Sequence, residues 1–224
     1  MSAAYLTLLL ADGRLPSGAH TQSAGVEPAL THGMRLEQVP DYLRVRLRTV
    51  TEVEAAVAVL ARQAWATVDP AELRSVLAAV DRAWRVRTLS DALRDASDLL
   101  GRSYLRMAAA VWPLAALVAP PAPVWCRPVV VGAVAGAIGL SAADTARVVA
   151  FDDVQTVVAA ALKLVPFDPT HGVRWAAAAA PEVERLVERA AAVTTTAELP
   201  AYSAPLIEEW GQRHSQTERR LFRA

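Results

Sequence analysis

Val39, Leu43, Leu47, Val50, Val53, Val57, Leu60 and Ala64 recur at steps of three and four residues. An α-helix turns about 100° per residue, so such steps keep these side chains on one face, which a strand with its two-residue period cannot do. The spacing predicts one long amphipathic helix over residues 39–64, with Arg44, Arg48, Glu52 and Arg62 on its other faces.

The same rhythm governs most of the chain. Asp69-Pro70 places an N-cap and a first-position proline at the start of the next helix, which carries Leu73, Val76, Leu77, Val80 and Trp84. A further helix is expected from about Ser90 to Trp112, a loop over Pro120–Pro128, and an apolar helix from Pro128 to Gly139. Ser141 and Asp144 form a capping-box-like start for a helix that Pro166 and Pro169 end near Val165. Another is expected over Thr170–Ala192, and Pro205 restarts a last one. No alternating strand segment, internal repeat or linker interrupts this pattern. The expected fold is all-α: a single-domain bundle of about eight to ten helices over residues 1–204, followed by a labile C-terminal tail over 205–224.

With 54% apolar residues and no net charge over 224 residues, the chain can bury one substantial core. The neutral balance argues against nucleic acid as a main partner, since that binding relies on excess cations to meet phosphates. The stretch from Ala108 to Leu140 is the most membrane-like, but Pro113, Pro120, Pro121, Pro123, Arg127 and Pro128 break it. Its longest clean piece, Val129–Leu140, falls short of the roughly 20 residues a span needs. The expectation is a core segment of a cytoplasmic protein, and the lone Cys126 fits a reducing compartment. Within that piece Gly132, Gly136 and Gly139 lie three or four residues apart, a spacing that favours close contact between helices in a core.

Catalytic signatures are missing from the sequence. It contains no phosphate-binding Gly-x-x-x-x-Gly-Lys-Ser/Thr loop and no Gly-x-Ser-x-Gly nucleophile elbow. His20, His32, His171 and His214 are scattered, which leaves a tight metal site within one chain unsupported, although a dimer could bring equivalent histidines together. Three features stand out instead. Among 23 cationic side chains, Lys163 is the only lysine, and it shares a helical face with Asp152 and Thr156, either a solvated face or a docking surface. Pro16 and Gly18 make a turn before the small-residue segment Ser23, Gly25 and Glu27. In the tail, Leu206, Trp210, Arg213, Thr217 and Leu221 run along a narrow stripe among charged residues, the pattern of either a frayed end or a partner-binding segment.

Taken in order, these segments resemble the UreF family of urease accessory proteins. The resemblance rests on Leu9 with Leu15-Pro16-x-Gly18 and then Ser23, Gly25 and Glu27; on Arg94, Ser97, Gly101 and Leu105; on Pro128-Val129-Val130-x-Gly132 with Gly139-Leu140; on Ala161-x-Lys163-Leu164-Val165-Pro166; and on Arg213-His214 with Leu221-Phe222-Arg223. It covers nearly the whole chain. The sequence departs from the family pattern at Phe167-Asp168-Pro169-Thr170 after the Lys-Leu-Val-Pro block, at Ser215 and Thr217, at His20 in place of the usual N-terminal aromatics, and at Arg127, where the family carries a histidine.

The resemblance implies an all-α, homodimeric maturation factor that is not an enzyme and carries no cofactor. It implies a scaffold joining the D-type (or H-type) urease accessory protein to the nickel-carrying GTPase G, for nickel delivery to apo-urease. The partner-binding residues it points to are Pro16, Gly18, Ser23, Gly25, Glu27, Lys163, Arg213, His214, Leu221, Phe222 and Arg223. The alternatives are a GTPase-activating regulator of the G-type protein and an unrelated helical ligand-binding regulator.

Overall fold

A computed structural model describes residues 1–119, 123–217 and 220–222. Among these residues the chain is helical and without strands: α1 (Ala3–Leu10), α2 (Val26–Thr31), α3 (Val39–Leu47), α4 (Val50–Thr67), α5 (Pro70–Arg85), α6 (Asp91–Ala109), α7 (Ala115–Val118), α8 (Arg127–Ala137), α9 (Ala142–Leu164), α10 (Pro169–Ala191) and α11 (Pro205–Ser215). The caps are those the sequence proposes. Asp69 accepts the Ala71 N–H at 2.8 Å, and Ser141 accepts the Asp144 N–H at 3.0 Å.

Helix α4 is the centre of the bundle, with α3, α5, α8, α9 and α10 packed around it. Its Val53, Ala55, Ala56, Val57, Ala58, Val59, Leu60, Ala61 and Ala64 are all buried, so it is apolar on nearly every face. Alanines and valines there let neighbours approach closely. The closest is α8, where a Cβ on Gly132 would sit 2.1 Å from the Ala58 carbonyl oxygen and one on Gly136 would sit 2.8 Å from that of Arg62. Gly132 and Gly136 therefore mark tight packing of α8 on α4, whereas Gly139 lies past the end of α8 with φ 77° and nothing within 4 Å of a Cβ placed there, so it serves the turn and not the contact.

The expected continuous helix over 39–64 is two helices. The chain breaks at Thr49 (φ −130°, ψ −94°), and Arg46 on α3 and Thr51 on α4 then bond the same carboxylate, that of Asp153 on α9. Residues five apart on an unbroken helix would point about 140° away from each other, so a periodicity that ran smoothly through the sequence gives way to a buried polar contact.

The segment that leads into α8 explains another sequence block. Ser97 Oγ accepts the Arg127 N–H at 3.0 Å, and at Gly101 a Cβ would lie 2.1 Å from the Trp125 carbonyl oxygen. Helix α6 thus receives residues 125–127 through one hydroxyl and one missing side chain.

Helix α11 packs on α6 and α2. Its buried face is Ile207, Glu208, Gly211 and His214, not the expected stripe; Leu206, Arg213 and Thr217 are exposed. Polar bonds do much of the holding. Glu208 accepts the Leu89 and Ser90 N–H groups at 3.0 and 3.1 Å, and Gln212 accepts the Ala92 N–H at 3.3 Å. These are donors at the start of α6 that lack helical partners, and the last helix caps them.

Candidate functional site

The residues singled out at the two ends of the chain meet over α9. The N-terminal segment reaches that place through a left-handed turn. Ala24 has φ 50° and Gly25 φ 79°, and a Cβ on Gly25 would lie 2.5 Å from Tyr42 Oη, so the second position takes only glycine. The Ala24 carbonyl accepts Tyr42 O–H at 2.6 Å and Arg46 Nη1–H at 2.9 Å, which fixes the turn against α3. Arg46 in turn holds Asp153 with both prongs of its guanidinium, at 3.0 and 2.6 Å, and Thr51 O–H donates to the same carboxylate at 2.7 Å.

Burial alone would push the Asp153 carboxyl up. The Arg46 guanidinium and the hydrogen bonds from Arg46 and Thr51 outweigh it and hold the group below the ordinary carboxylate range.

The turn delivers Glu27 on α2 to the C-terminal segment. Its Oε1 accepts the Leu221 N–H at 2.6 Å and its Oε2 the Phe222 N–H at 2.8 Å. His214 of α11 completes the cluster, with Nε2 3.3 Å from Glu27 Oε2 and 3.2 Å from the Phe222 carbonyl oxygen. The Phe222 ring is buried, and Lys163 Nζ of α9 lies 5.4 Å from its centroid, within cation–π range. Leu221, by contrast, is 63% exposed.

Beside this cluster a groove of about 430 Å³ separates the N-terminal segment from α9. Gln22 and His20 line one side, and Asp152, Thr156 and Lys163 line the other, so the polar stripe on α9 is a groove wall. Asp152 is paired there with Arg127 at 2.6 Å, and Arg127 reaches Glu54 of α4 at 3.1 Å. Burial pushes the Glu54 and Asp152 carboxyls up, against the pull of Arg127. Two partly buried carboxylates thus accommodate arginine at the position where the family pattern has histidine.

The structure brings together Glu27, Lys163, His214, Leu221 and Phe222. Ser23 and Gly25 are buried beneath them and shape the turn. Pro16 is exposed, and Gly18 (φ 85°) packs against Ser103 and Leu100 of α6, away from the cluster's hydrogen bonds. Arg213 faces outward and pairs with Glu209 at 2.5 Å. Arg223 lies outside the described residues. Among the described residues no three His, Cys, Asp or Glu side chains converge as metal ligands, and no helix is long and apolar enough to cross a membrane.

Arg46 and Tyr42, and with them the buried partner of Asp153, were not anticipated from the sequence. Arg46 follows Tyr42 by four residues and Leu43 by three, which puts an arginine on the apolar side of its helix and could have flagged a buried partner.

A family model described as UreF matches residues 35–180 of this chain. The chain belongs to the UreF family. Curated relatives named "Urease accessory protein UreF" extend the match to both ends. One from Mycobacterium sp. (strain JLS) is 37% identical over 220 residues, 96% of each chain. One from Mycobacterium marinum (strain ATCC BAA-535 / M) is 33% identical over 227 residues, 99% of each, and one from Mycobacterium tuberculosis (strain ATCC 25618 / H37Rv) is 32% identical over 229 residues, 99% of each. Of the clustered residues only Lys163 lies within 35–180; the rest fall in the segments that these full-length relatives cover.

Proposed function

We propose that this UreF-family chain serves urease maturation as a non-catalytic scaffold. It joins the D-type (or H-type) accessory protein to the nickel-carrying GTPase G, so that nickel reaches apo-urease, and it works as a cytoplasmic homodimer. The observation that carries the reading is the end-to-end similarity to proteins named for urease accessory function. Leu221 and Arg213 both face outward, and an exposed large apolar side chain and an exposed arginine, a residue type enriched at interfaces, support a docking role for the C-terminal segment. Nickel is the cargo in this reading, and the chain's part is to hold its partners in register.

A specific feature favours a second role at the GTPase. Lys163 is the sole lysine, is exposed, and stands on the groove wall over the Phe222 ring. There it can meet a partner's carboxylates or phosphates as a point charge.

Co-purification of the full chain with its D-type and G-type partners tests the scaffold. One complex containing all three, lost when the chain is cut after Trp210, is the expected result. Undiminished D-type binding by the truncated chain would remove the tail from the docking surface. A GTPase rate unchanged by Lys163→Ala would remove Lys163 from the second role.

A further inference from the structure

We propose that Glu27 is an internal latch: it holds the C-terminal strap by its backbone and so sets the outward presentation of Leu221, without itself touching a partner. The presentation half of this rests on the scaffold reading above; the latch half does not.

Helix α11 ends at Ser215, and Gln216 and Thr217 are exposed. Past that point the described residues gain one buried side chain, Phe222, and the bonds to Glu27 and His214. Arg220 adds an Nη1 bond at 3.1 Å to the His214 carbonyl, which folds the strap back onto the end of its own helix. Phe222, the doubly bonded Glu27 carboxylate and the bonds to His214 and from Arg220 are set against the entropy of fixing the chain end, so the docked and released states lie close in free energy. A single group then decides which dominates.

Glu27 is that group because of what it recognises. A carboxylate that accepts two successive backbone N–H groups fixes the direction of the main chain whatever the side chains are. With Phe222 turned in over Lys163, the preceding Leu221 is turned out, and it is 63% exposed. The carboxylate is set by the Ala24–Gly25 turn and enclosed by the same contacts that it makes, so in the docked state it is a positioning residue and not a contact surface.

Amide hydrogen exchange on the isolated full-length chain, read by NMR, tests the latch. Leu221 and Phe222 should exchange at least about tenfold more slowly than an unstructured chain end, and Glu27→Gln should remove most of that protection, because it replaces one acceptor with a donor facing a donor. Amides in α4 keep their protection in the same sample and report that the bundle is folded. Unprotected Leu221 and Phe222 amides in the unsubstituted chain, or protection unchanged in Glu27→Gln, would overturn the latch.

A binding measurement with the D-type accessory protein tests presentation. A loss of about tenfold or more in affinity for Glu27→Gln supports it, whereas freed amides with unchanged affinity overturn it. If the unsubstituted chain itself does not bind that partner, the scaffold reading fails, and the exchange result alone decides the latch.

Discussion

Replacing Asp153 by alanine should be among the most damaging single changes in the bundle. The carboxylate is 6% exposed and accepts three hydrogen bonds, two from Arg46 and one from Thr51, at 2.6–3.0 Å. Its removal leaves the Arg46 guanidinium, 8% exposed, without its counter-charge. Breaking such a pair from one side costs about 3–5 kcal/mol, because a buried charge is left uncompensated. For a chain of this length, each kcal/mol moves the thermal midpoint by about 2–4 °C, so a fall of about 6–20 °C is expected. Urea denaturation followed by circular dichroism gives the free energy directly.

Two controls separate the mechanism from mere loss of packing. The double variant Arg46→Met/Asp153→Leu should lose less stability than Asp153→Ala alone, since replacing both partners with apolar groups leaves no orphaned charge. The difference between the unsubstituted chain and Asp153→Ala should also depend on pH. Asp153 is depressed in the folded state, so its stabilisation is present above the unfolded value of about 3.9 and is lost as pH falls through the lower folded value. A loss under about 1 kcal/mol at neutral pH, or a double variant whose loss is the sum of the singles, would refute the reasoning.

Two further outcomes follow from the same geometry. Gly132→Ala places a methyl 2.1 Å from the Ala58 carbonyl oxygen and 2.8 Å from Ala61 Cβ, so α8 must move off α4 at a cost of about 1–3 kcal/mol or more, read as a lower denaturation midpoint. Glu54 carries the opposite pH signature to Asp153. Its carboxyl is raised by burial, so the stability it contributes is present below its unfolded value of about 4.3 and is lost as pH rises through its folded value. Denaturation at a series of pH values should therefore show Glu54→Gln gaining relative to the unsubstituted chain as pH rises from about 4.

What the sequence disclosed, and what it hid, divides along a physical line. Apolar periodicity and caps depend on neighbours a few residues apart, so most of the longer helices, the Asp69 and Ser141 starts and the Gly132 and Gly136 contact of α8 were legible, while the short α1 and α7 were not. The break at Thr49 was not, because it serves a carboxylate about a hundred positions away, and local spacing carries no trace of such a partner. The face of α11 was misread for a related reason. Apolar count favoured Leu206 and Trp210, but the helix is fixed by Glu208 and Gln212 capping α6 and by His214 meeting Glu27, all polar groups whose partners lie far off in sequence. Family resemblance located Glu27, Lys163, His214 and Phe222 without saying that they touch.

Those contacts form one mechanical chain, which gives the interior polar groups a role at the surface. Asp153 on α9 sets Arg46 on α3; Arg46 and Tyr42 hold the Ala24 carbonyl; the Ala24–Gly25 turn aims Glu27; and Glu27 grips Leu221 and Phe222. The turn itself is a covalent link in which only glycine fits at position 25; the other links are hydrogen bonds or ion pairs of 2.6–2.9 Å. A hydrophobic pair in place of Arg46 and Asp153 could keep the bundle stable, but it would release the Nη1 bond to the turn. The Arg46→Met/Asp153→Leu chain should therefore fold well and still show faster amide exchange at Leu221 and Phe222 than the unsubstituted protein. Strap protection that tracked global stability alone would break the chain of contacts at Arg46, and would leave the buried ion pair as a purely structural element of the core.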